Sequence, residues 1–140
     1  MISKTAIHAV NALVELAGLK DHEFAGAAKL AEKIQAPQNY LGKLLQTLSQ
    51  AGLVHSQKGL GGGFRLAHRP EDITLYDVVE PIDHVSRWSR CLMSQGTCTE
   101  KEPCPMHRQW AVVRDGYFKM LKGSSIAAIA ARRRAVPQSK

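Results

Sequence analysis

The sequence predicts a mainly α-helical fold with one small β-hairpin, and three observations support this prediction. Before Gly52, apolar residues recur at steps of three and four in three separate segments, as in helices that bury one face. Two segments of strand-like composition then flank the glycine-rich segment 57–63, as in a hairpin. A longer apolar seam follows Pro105. With 140 residues, the chain suits one small domain with an appended helical element.

The first three segments have the order and spacing of a helix-turn-helix. Ser3 can cap a first helix that ends near Gly18, and the apolar residues of this helix are Ile7, Val10, Val14 and Ala17. A second, shorter stripe consists of Ala27, Leu30, Ala31 and Ile34. The third helix has Pro37 in its first turn and ends at Gly52, and its stripe consists of Leu41, Leu44, Leu45 and Leu48. Two short helices separated by a few residues are typical of a helix-turn-helix.

The other face of the third helix is polar and has no carboxylate. It presents amides, a hydroxyl and a cation, which can bond base edges and phosphates: Gln38, Asn39, Lys43, Gln46, Thr47 and Gln50. An ordinary solvated helix face is the alternative interpretation.

The hairpin that follows has the position of a wing. Its strands are predicted at 53–56 and 64–66, and Lys58 and Arg65 would lie near a DNA backbone, together with His68 and Arg69. Glycines at the tip, Gly61 and Gly62 among them, would let the main chain approach a groove closely. A nucleotide-binding loop is disfavoured, because a strand and then Pro70 follow the glycines where such a loop requires a helix.

The second half of the chain predicts two more helical regions joined by a loop. Thr74 and Asp77 resemble a helix start, Pro81 should stop that helix early, and residues 82–103 lack periodicity. A long helix then carries the seam Met106, Trp110, Val113, Tyr117 and Met120 and ends at Gly123. Its expected partner is the same helix of a second subunit, and packing against the wing domain is the alternative. Ser124 or Ser125 can cap a last short helix.

These elements predict four regions. They are a winged helix-turn-helix domain (1–80), a cysteine-containing cluster-binding loop (81–104), a dimerisation helix with a short C-terminal helix (105–131) and a basic disordered tail (132–140). The net charge of +7 is concentrated at the two ends of the chain, which suits a polyanionic partner such as nucleic acid.

The chain's three cysteines, Cys91, Cys98 and Cys104, stand close together and are followed by His107. The spacing C-x6-C-x5-C-x2-H lets one loop supply three thiolates and an imidazole to a metal site, either zinc or an iron-sulfur cluster. An odd number of cysteines argues against a disulfide framework. Since we find neither an export signal nor a membrane span, we expect a cytoplasmic protein. The sequence contains no recognisable set of acid and base residues for catalysis, so we do not predict an enzyme.

Together these motifs resemble the IscR and NsrR family of winged-helix iron-sulfur transcription regulators. The resemblance covers nearly the whole chain and is carried by the helix beginning at Ser3, the segments 40–48 and 51–54, the wing 58–66, the segments 73–75 and 77–79, and the cysteines before a long helix. It implies a homodimer that binds palindromic double-stranded DNA under the control of a cluster that senses iron-sulfur status, redox state or nitric oxide. Gly42 departs from the glutamate that IscR-like recognition helices can carry, so sequence specificity is not transferred.

The resemblance also implies which residues bind the iron-sulfur cluster. The arrangement Cys98-x5-Cys104-x2-His107 is similar to that of IscR-like proteins, where the histidine ligates a 2Fe-2S cluster, although one extra residue separates Cys91 from Cys98. In NsrR-like proteins a 4Fe-4S cluster takes its fourth ligand from the partner's first helix, and the corresponding residue is His8. Structural zinc and a cluster-free thiol switch remain alternatives. The expected DNA-binding residues are Gln38, Asn39, Tyr40, Lys43, Gln46, Lys58, Gly61, Gly62 and Arg65.

Overall fold

A computed structural model describes residues 2–93, 96, 99–101 and 103–135. The first half of the chain forms helices α1 (Lys4–Ala17), α2 (Ala27–Ile34) and α3 (Gln38–Gln50) and strands β1 (Val54–Gln57) and β2 (Gly63–Leu66). The second half forms helices α4 (Leu75–Asp83), α5 (His107–Gly123) and α6 (Ile126–Ala135), and 3-10 turns occur at Pro70–Asp72 and Val85–Ser89. The predicted fold class, mainly helical with one small hairpin, is confirmed.

Helix α1 forms the centre of the N-terminal half. The hydroxyl of Ser3 accepts a hydrogen bond from the Ala6 N–H at 3.1 Å, which confirms the predicted N-cap. The helix packs against α2, α3, α4, α6 and β2. It buries Ala9, Ala12 and Leu13 completely, and the small alanines let neighbouring helices approach closely.

Helices α2 and α3 form the predicted helix-turn-helix. Gln35 ends α2 in a left-handed conformation with φ +58°. Pro37 immediately precedes α3 and caps it, so it does not lie inside the first turn as predicted. The four leucines of the predicted α3 stripe are all buried: Leu41, Leu44, Leu45 and Leu48.

The hairpin is held to the helices by a third extended segment. Strands β1 and β2 pair antiparallel, with Val54 opposite Leu66 and Gln57 opposite Gly63. Ala25 pairs with Phe64 through two backbone hydrogen bonds, of 2.9 and 2.8 Å. Gly63, at φ +136°, makes this pairing possible, because a Cβ atom there would lie 2.4 Å from the Ala25 carbonyl oxygen.

Helix α4 begins as predicted but ends later. The side chains of Thr74 and Asp77 form a capping box, with hydrogen bonds of 3.1 and 3.0 Å. The prediction that Pro81 stops the helix is wrong, since α4 continues to Asp83 and the His84 N–H donates to the Glu80 carbonyl at 2.9 Å. Because a 3-10 turn follows at Val85–Ser89, the predicted loop is also partly helical.

Helix α5 packs on α4 with one face and exposes another. Tyr117 and Leu121 are buried in an apolar cluster with Ala6, Val79 and Val85. The predicted seam is therefore divided. Tyr117 belongs to the chain's own core, while Met106, Val113 and Met120 remain 40%, 54% and 46% exposed.

Helix α6 returns to α1. Ser125 caps it by accepting the Ala128 N–H at 3.0 Å, and Ile126 and Ala130 are buried. The Arg133 guanidinium donates a hydrogen bond to the Asn11 side chain on α1. The prediction of a tail starting at 132 is wrong for residues 132–135, because they are helical, and residues 136–140 lie outside the described part.

Candidate DNA-binding surface and cysteine site

The polar face predicted for α3 is open to solvent. Gln38, Asn39, Lys43 and Gln46 are exposed, while the leucines on the opposite side fix the rotation of the helix against the core. The Thr47 hydroxyl donates to the Lys43 carbonyl at 3.3 Å, so it is partly satisfied within the helix. The arrangement leaves the amides and Lys43 available to a ligand that lies along α3.

Tyr40 differs from the other predicted contact residues because it is only partly exposed. Its ring meets the His8 ring edge-on, with centroids 5.6 Å apart and an interplanar angle of 78°. The Nδ1 atom of His8 is buried and has no hydrogen-bond partner among the described residues. His8, the alternative metal ligand, is thus in contact with the first turn of α3.

A cleft of about 320 Å³ separates α3 from the hairpin and brings two predicted residues together. Gln46 lines it from the helix and Lys58 from the hairpin. Ser56 and Gln57 also line this cleft, although sequence reasoning did not select them. The alternation expected of a strand did not indicate them, since Val54 is buried and His55, Ser56 and Gln57 are all exposed.

Two of the remaining basic residues of the hairpin region, Arg65 and Arg69, already have partners within the chain. The Arg65 guanidinium lies 5.3 Å from the centre of the Phe24 ring, and its Nε is buried without a hydrogen-bond partner among the described residues. Arg69 forms ion pairs with Asp72 at 3.2 Å and Glu71 at 3.9 Å. Lys58 is therefore the best exposed cation of the wing, beside the exposed Gly61 and the partly exposed Gly62.

Two of the three cysteines lie in the described part of the structure. Cys91 and Cys104 are partly buried, while Cys98 lies outside the described residues. The Cys91 N–H donates to the Gly96 carbonyl at 2.8 Å, and the His107 N–H donates to the Cys104 carbonyl at 3.0 Å. Cys104 and His107 line one cleft of about 690 Å³ at the start of α5.

The described ligand candidates suit a metal site in kind but do not form one by themselves. Thiols and an imidazole are the donors that zinc and iron-sulfur clusters take. Within the described ranges, however, no group of three or more His, Cys, Asp or Glu side chains is placed to hold a metal ion. The donor set therefore fits such a group chemically.

An aromatic stack connects the cysteine loop with α5 and α4. The Trp110 indole donates to the Arg90 carbonyl, next to Cys91, at 3.1 Å. Trp88 lies between Trp110 and Tyr117, with ring centroids 6.0 and 5.1 Å away. The Tyr117 hydroxyl is buried without a hydrogen-bond partner among the described residues. Burial, followed by the charge of Asp83, raises the pKa of Tyr117 above its usual value.

The end of this stack lies beside the start of α1. Asp83 accepts hydrogen bonds from both the backbone N–H and the hydroxyl of Ser3. Tyr117 shares an apolar cluster with Ala6, so the cysteine loop and α1 are linked through Trp110, Trp88 and Tyr117.

Within the part of the chain that the structure describes, we find no helix long and apolar enough to cross a membrane. A helix-turn-helix followed by a hairpin, with an exposed polar helix face beside a lysine-bearing wing, defines a winged-helix DNA-binding protein.

The chain belongs to the Rrf2 family of iron-dependent transcriptional regulators, whose pattern matches residues 2–132. A protein of Aquifex aeolicus is 31% identical over 128 residues, which is 90% of this chain and 88% of that protein. The transcriptional regulator IscR of Aliivibrio salmonicida is 28% identical over 122 residues, covering 87% of this chain and 72% of IscR. The expected resemblance to IscR-type regulators is confirmed, as is the expectation of a regulator and not an enzyme.

Solved structures show the same fold. CymR, the global cysteine regulator of B. subtilis, superposes with a TM-score of 0.77 at 23% identity, covering 94% of this chain and 97% of CymR. IscR of T. potens also gives a TM-score of 0.77, at 21% identity, covering 100% of this chain and 93% of that protein.

Proposed function

We propose that this Rrf2-family regulator acts as a homodimer whose DNA binding is controlled by an iron-sulfur cluster. Its ligands would be Cys91, Cys98 and Cys104 with a fourth residue, either His107 or His8 of the partner subunit. The observation that carries the proposal is the cleft at the start of α5, where Cys104 and His107 lie together at the N-terminal end of the helix that also exposes an apolar face.

The DNA-binding half of the proposal assigns separate tasks to helix and wing. Asn39, Lys43 and Gln46 lie on the exposed face of α3 and would enter the major groove, where amides pair with adenine edges and lysine with guanine or phosphate. Lys58, across the cleft from Gln46, would reach the adjacent groove and its phosphates. Arg65 and Tyr40, being partly buried, would orient the wing and α3 and add contacts at their edges.

The dimer half rests on the outer face of α5. Val112 and Val113 are 74% and 54% exposed, and Met120 is 46% exposed on the same helix. Exposed apolar side chains repeated along one long helix favour association with a second copy, since closed symmetric dimers are the commonest assembly. A palindromic operator would match this symmetry.

In the proposal, the iron-sulfur cluster couples the DNA-binding surface to the outer face of α5. When bound, an iron-sulfur cluster would supply a centre whose charge and ligation change with iron supply, oxidants or nitric oxide. The chain's own residues determine what such a change does. Cys91 and Cys104 bracket the loop, the Arg90 carbonyl accepts the Trp110 indole, and ordering of the loop would fix Trp110 on α5. The aromatic stack then leads to Asp83, which holds the start of α1.

A thiol switch without a cluster is the second candidate. It is favoured by the structural similarity to CymR, which is named for cysteine regulation, and by the partial exposure of Cys91 and Cys104. In this case oxidation of the thiols would change the loop directly. Structural zinc in the same donor set is a third possibility, one without redox sensing.

Anaerobic purification followed by iron, sulfide and zinc analysis tests the proposal. A coloured protein with comparable amounts of iron and sulfide, whose affinity for its selected DNA changes when the cluster is removed, supports it. Colourless protein with one zinc per chain supports the zinc alternative. DNA binding that does not depend on iron and sulfide but changes with reductant supports the thiol switch. Either the zinc result or the thiol result would refute the proposed iron-sulfur cluster.

A further inference from the structure

We propose that Leu60, at the tip of the wing, inserts into the minor groove of DNA as an apolar contact that makes binding sensitive to groove shape. The inference rests on the DNA-binding arrangement proposed above. Its starting point is exposure: Leu60 has a relative exposure of 106%, the highest of the exposed large apolar residues in the described part of the chain. It belongs to neither of the apolar clusters formed there.

The backbone of the tip holds Leu60 outward. Gly59 and Gly61, on either side, have φ values of +92° and +74°, which side chains rarely allow. The Gly62 N–H donates to the Gly59 carbonyl at 3.0 Å and closes the turn. A Cβ atom on Gly62 would lie 2.2 Å from the Gln57 carbonyl oxygen, so the turn is also tightly folded behind Leu60.

These features make Leu60 the only side chain of the segment 59–63. A tip of bare backbone with a single apolar side chain is narrow enough for the minor groove, which is about 6 Å wide. Proteins that bind this groove combine cations with apolar wedges, and Lys58 supplies the cation immediately before the turn. The hairpin lines one cleft with α3, so with α3 in the major groove the wing would lie near the neighbouring groove.

The charge of the residues around the wing tip indicates that its binding partner is DNA. The segment 38–50, which includes α3, and the hairpin 54–66 contain neither Asp nor Glu, so Lys58 has no carboxylate beside it from either element. A polyanion suits such a surface better than an apolar protein partner does. The apolar contact would then lie against sugars and base edges, where it discriminates by groove width and deformability and not by hydrogen bonding.

The test compares Leu60→Ala, Leu60→Met and Lys58→Ala on a duplex selected by the wild-type protein from a random pool. Leu60→Ala should weaken binding about tenfold, the ratio expected for losing part of a buried leucine contact, with an unchanged salt dependence. Leu60→Met should retain most of the affinity. Lys58→Ala should weaken binding by about five- to hundredfold and reduce the slope of log affinity against log salt by about 1.

A second measurement identifies the groove. Replacing G·C pairs beneath the wing by I·C pairs removes only the minor-groove amino group, so wild-type binding should strengthen and Leu60→Ala should respond less. Equal affinity of wild type and Leu60→Ala, or an equal response to I·C pairs, would overturn the proposal. A wild-type protein that selects no duplex would instead refute the proposed DNA-binding arrangement. Because Leu60 is fully exposed, the thermal stability of Leu60→Ala should match that of the wild type, so a folding defect cannot imitate the effect.

Discussion

Replacing Gly63 by alanine should separate the wing from the helical core. Gly63 opens β2 at φ +136°, and an added Cβ atom would lie 2.4 Å from the oxygen and 2.6 Å from the carbon of the Ala25 carbonyl. The atoms that would clash are backbone atoms, so no side-chain rotation can relieve the clash and either Ala25 or β2 must move. Both hydrogen bonds between Ala25 and Phe64 then weaken or break.

The expected cost can be worked from these contacts. A non-glycine residue held in such a backbone conformation costs roughly 1–3 kcal/mol. Each lost backbone hydrogen bond adds about 0.5–1.5 kcal/mol. The reduced freedom of the unfolded chain offsets up to about 1 kcal/mol. We therefore expect Gly63→Ala to lower the free energy of unfolding by about 3 kcal/mol and to lower affinity for DNA, because the wing loses its fixed position.

Urea unfolding followed by circular dichroism measures this change, and Gly61→Ala is the matched control. Gly61 also has a positive φ, of +74°, but a Cβ atom there meets nothing within 4 Å. Gly61→Ala should therefore show only the conformational strain, about 1 kcal/mol. If both variants were equally stable, the close approach of Ala25 would not be what requires glycine at 63, and the argument would be refuted.

Three further predictions concern α5 and the metal site. Val113→Asp should convert the proposed dimer to a folded monomer in size-exclusion chromatography with light scattering, since Val113 is 54% exposed in the single chain. A variant that is still dimeric would show that the dimer does not use this face. His107→Ala should lower iron and sulfide retention in anaerobic protein, whereas His8→Ala should retain both and weaken DNA binding through Tyr40, and the reverse result would assign the ligand to His8. Tyr117→Phe should raise stability at alkaline pH. The pKa of Tyr117 is raised in the folded state, so the unfolded state releases its proton first and wild-type stability falls as the pH passes about 10. Identical pH dependence of unfolding in wild type and Tyr117→Phe would contradict this.

The helices and the hairpin were accessible from the sequence because local signals determine them. Leucines at steps of three and four predicted the buried face of α3, and the pair Thr74 and Asp77 predicted the start of α4. Pro81 misled, because Ile82, the residue after the proline, packs against both apolar clusters, and the His84 N–H still donates to the Glu80 carbonyl. Tertiary packing thus overrode a local breaker.

The long-range parts of the site were not accessible in the same way. The periodic seam of α5 could not show that Tyr117 faces the chain's own α4 while Val113 faces outward, because both lie on one apolar side of the helix. The cleft that joins Gln46 to Lys58 depends on the angle between α3 and the hairpin, which Ala25 fixes from another segment. The contact between Arg65 and Phe24 depends on the same pairing, so the partial burial of Arg65 could not be predicted from the sequence either.

The position of His8 gives the two ligand assignments different mechanical consequences. If His107 binds, loop ordering acts within one chain, through Trp110, the aromatic stack and Asp83, on the start of α1. If His8 of the partner subunit binds, any change in the position of its ring would act on Tyr40, because the two rings are in edge-to-face contact. The second route would act directly on the first turn of α3 and would couple cluster and operator more tightly. A Tyr40→Phe variant keeps the ring contact and a Tyr40→Ala variant removes it, so only the second should uncouple DNA affinity from cluster loss if His8 is the ligand.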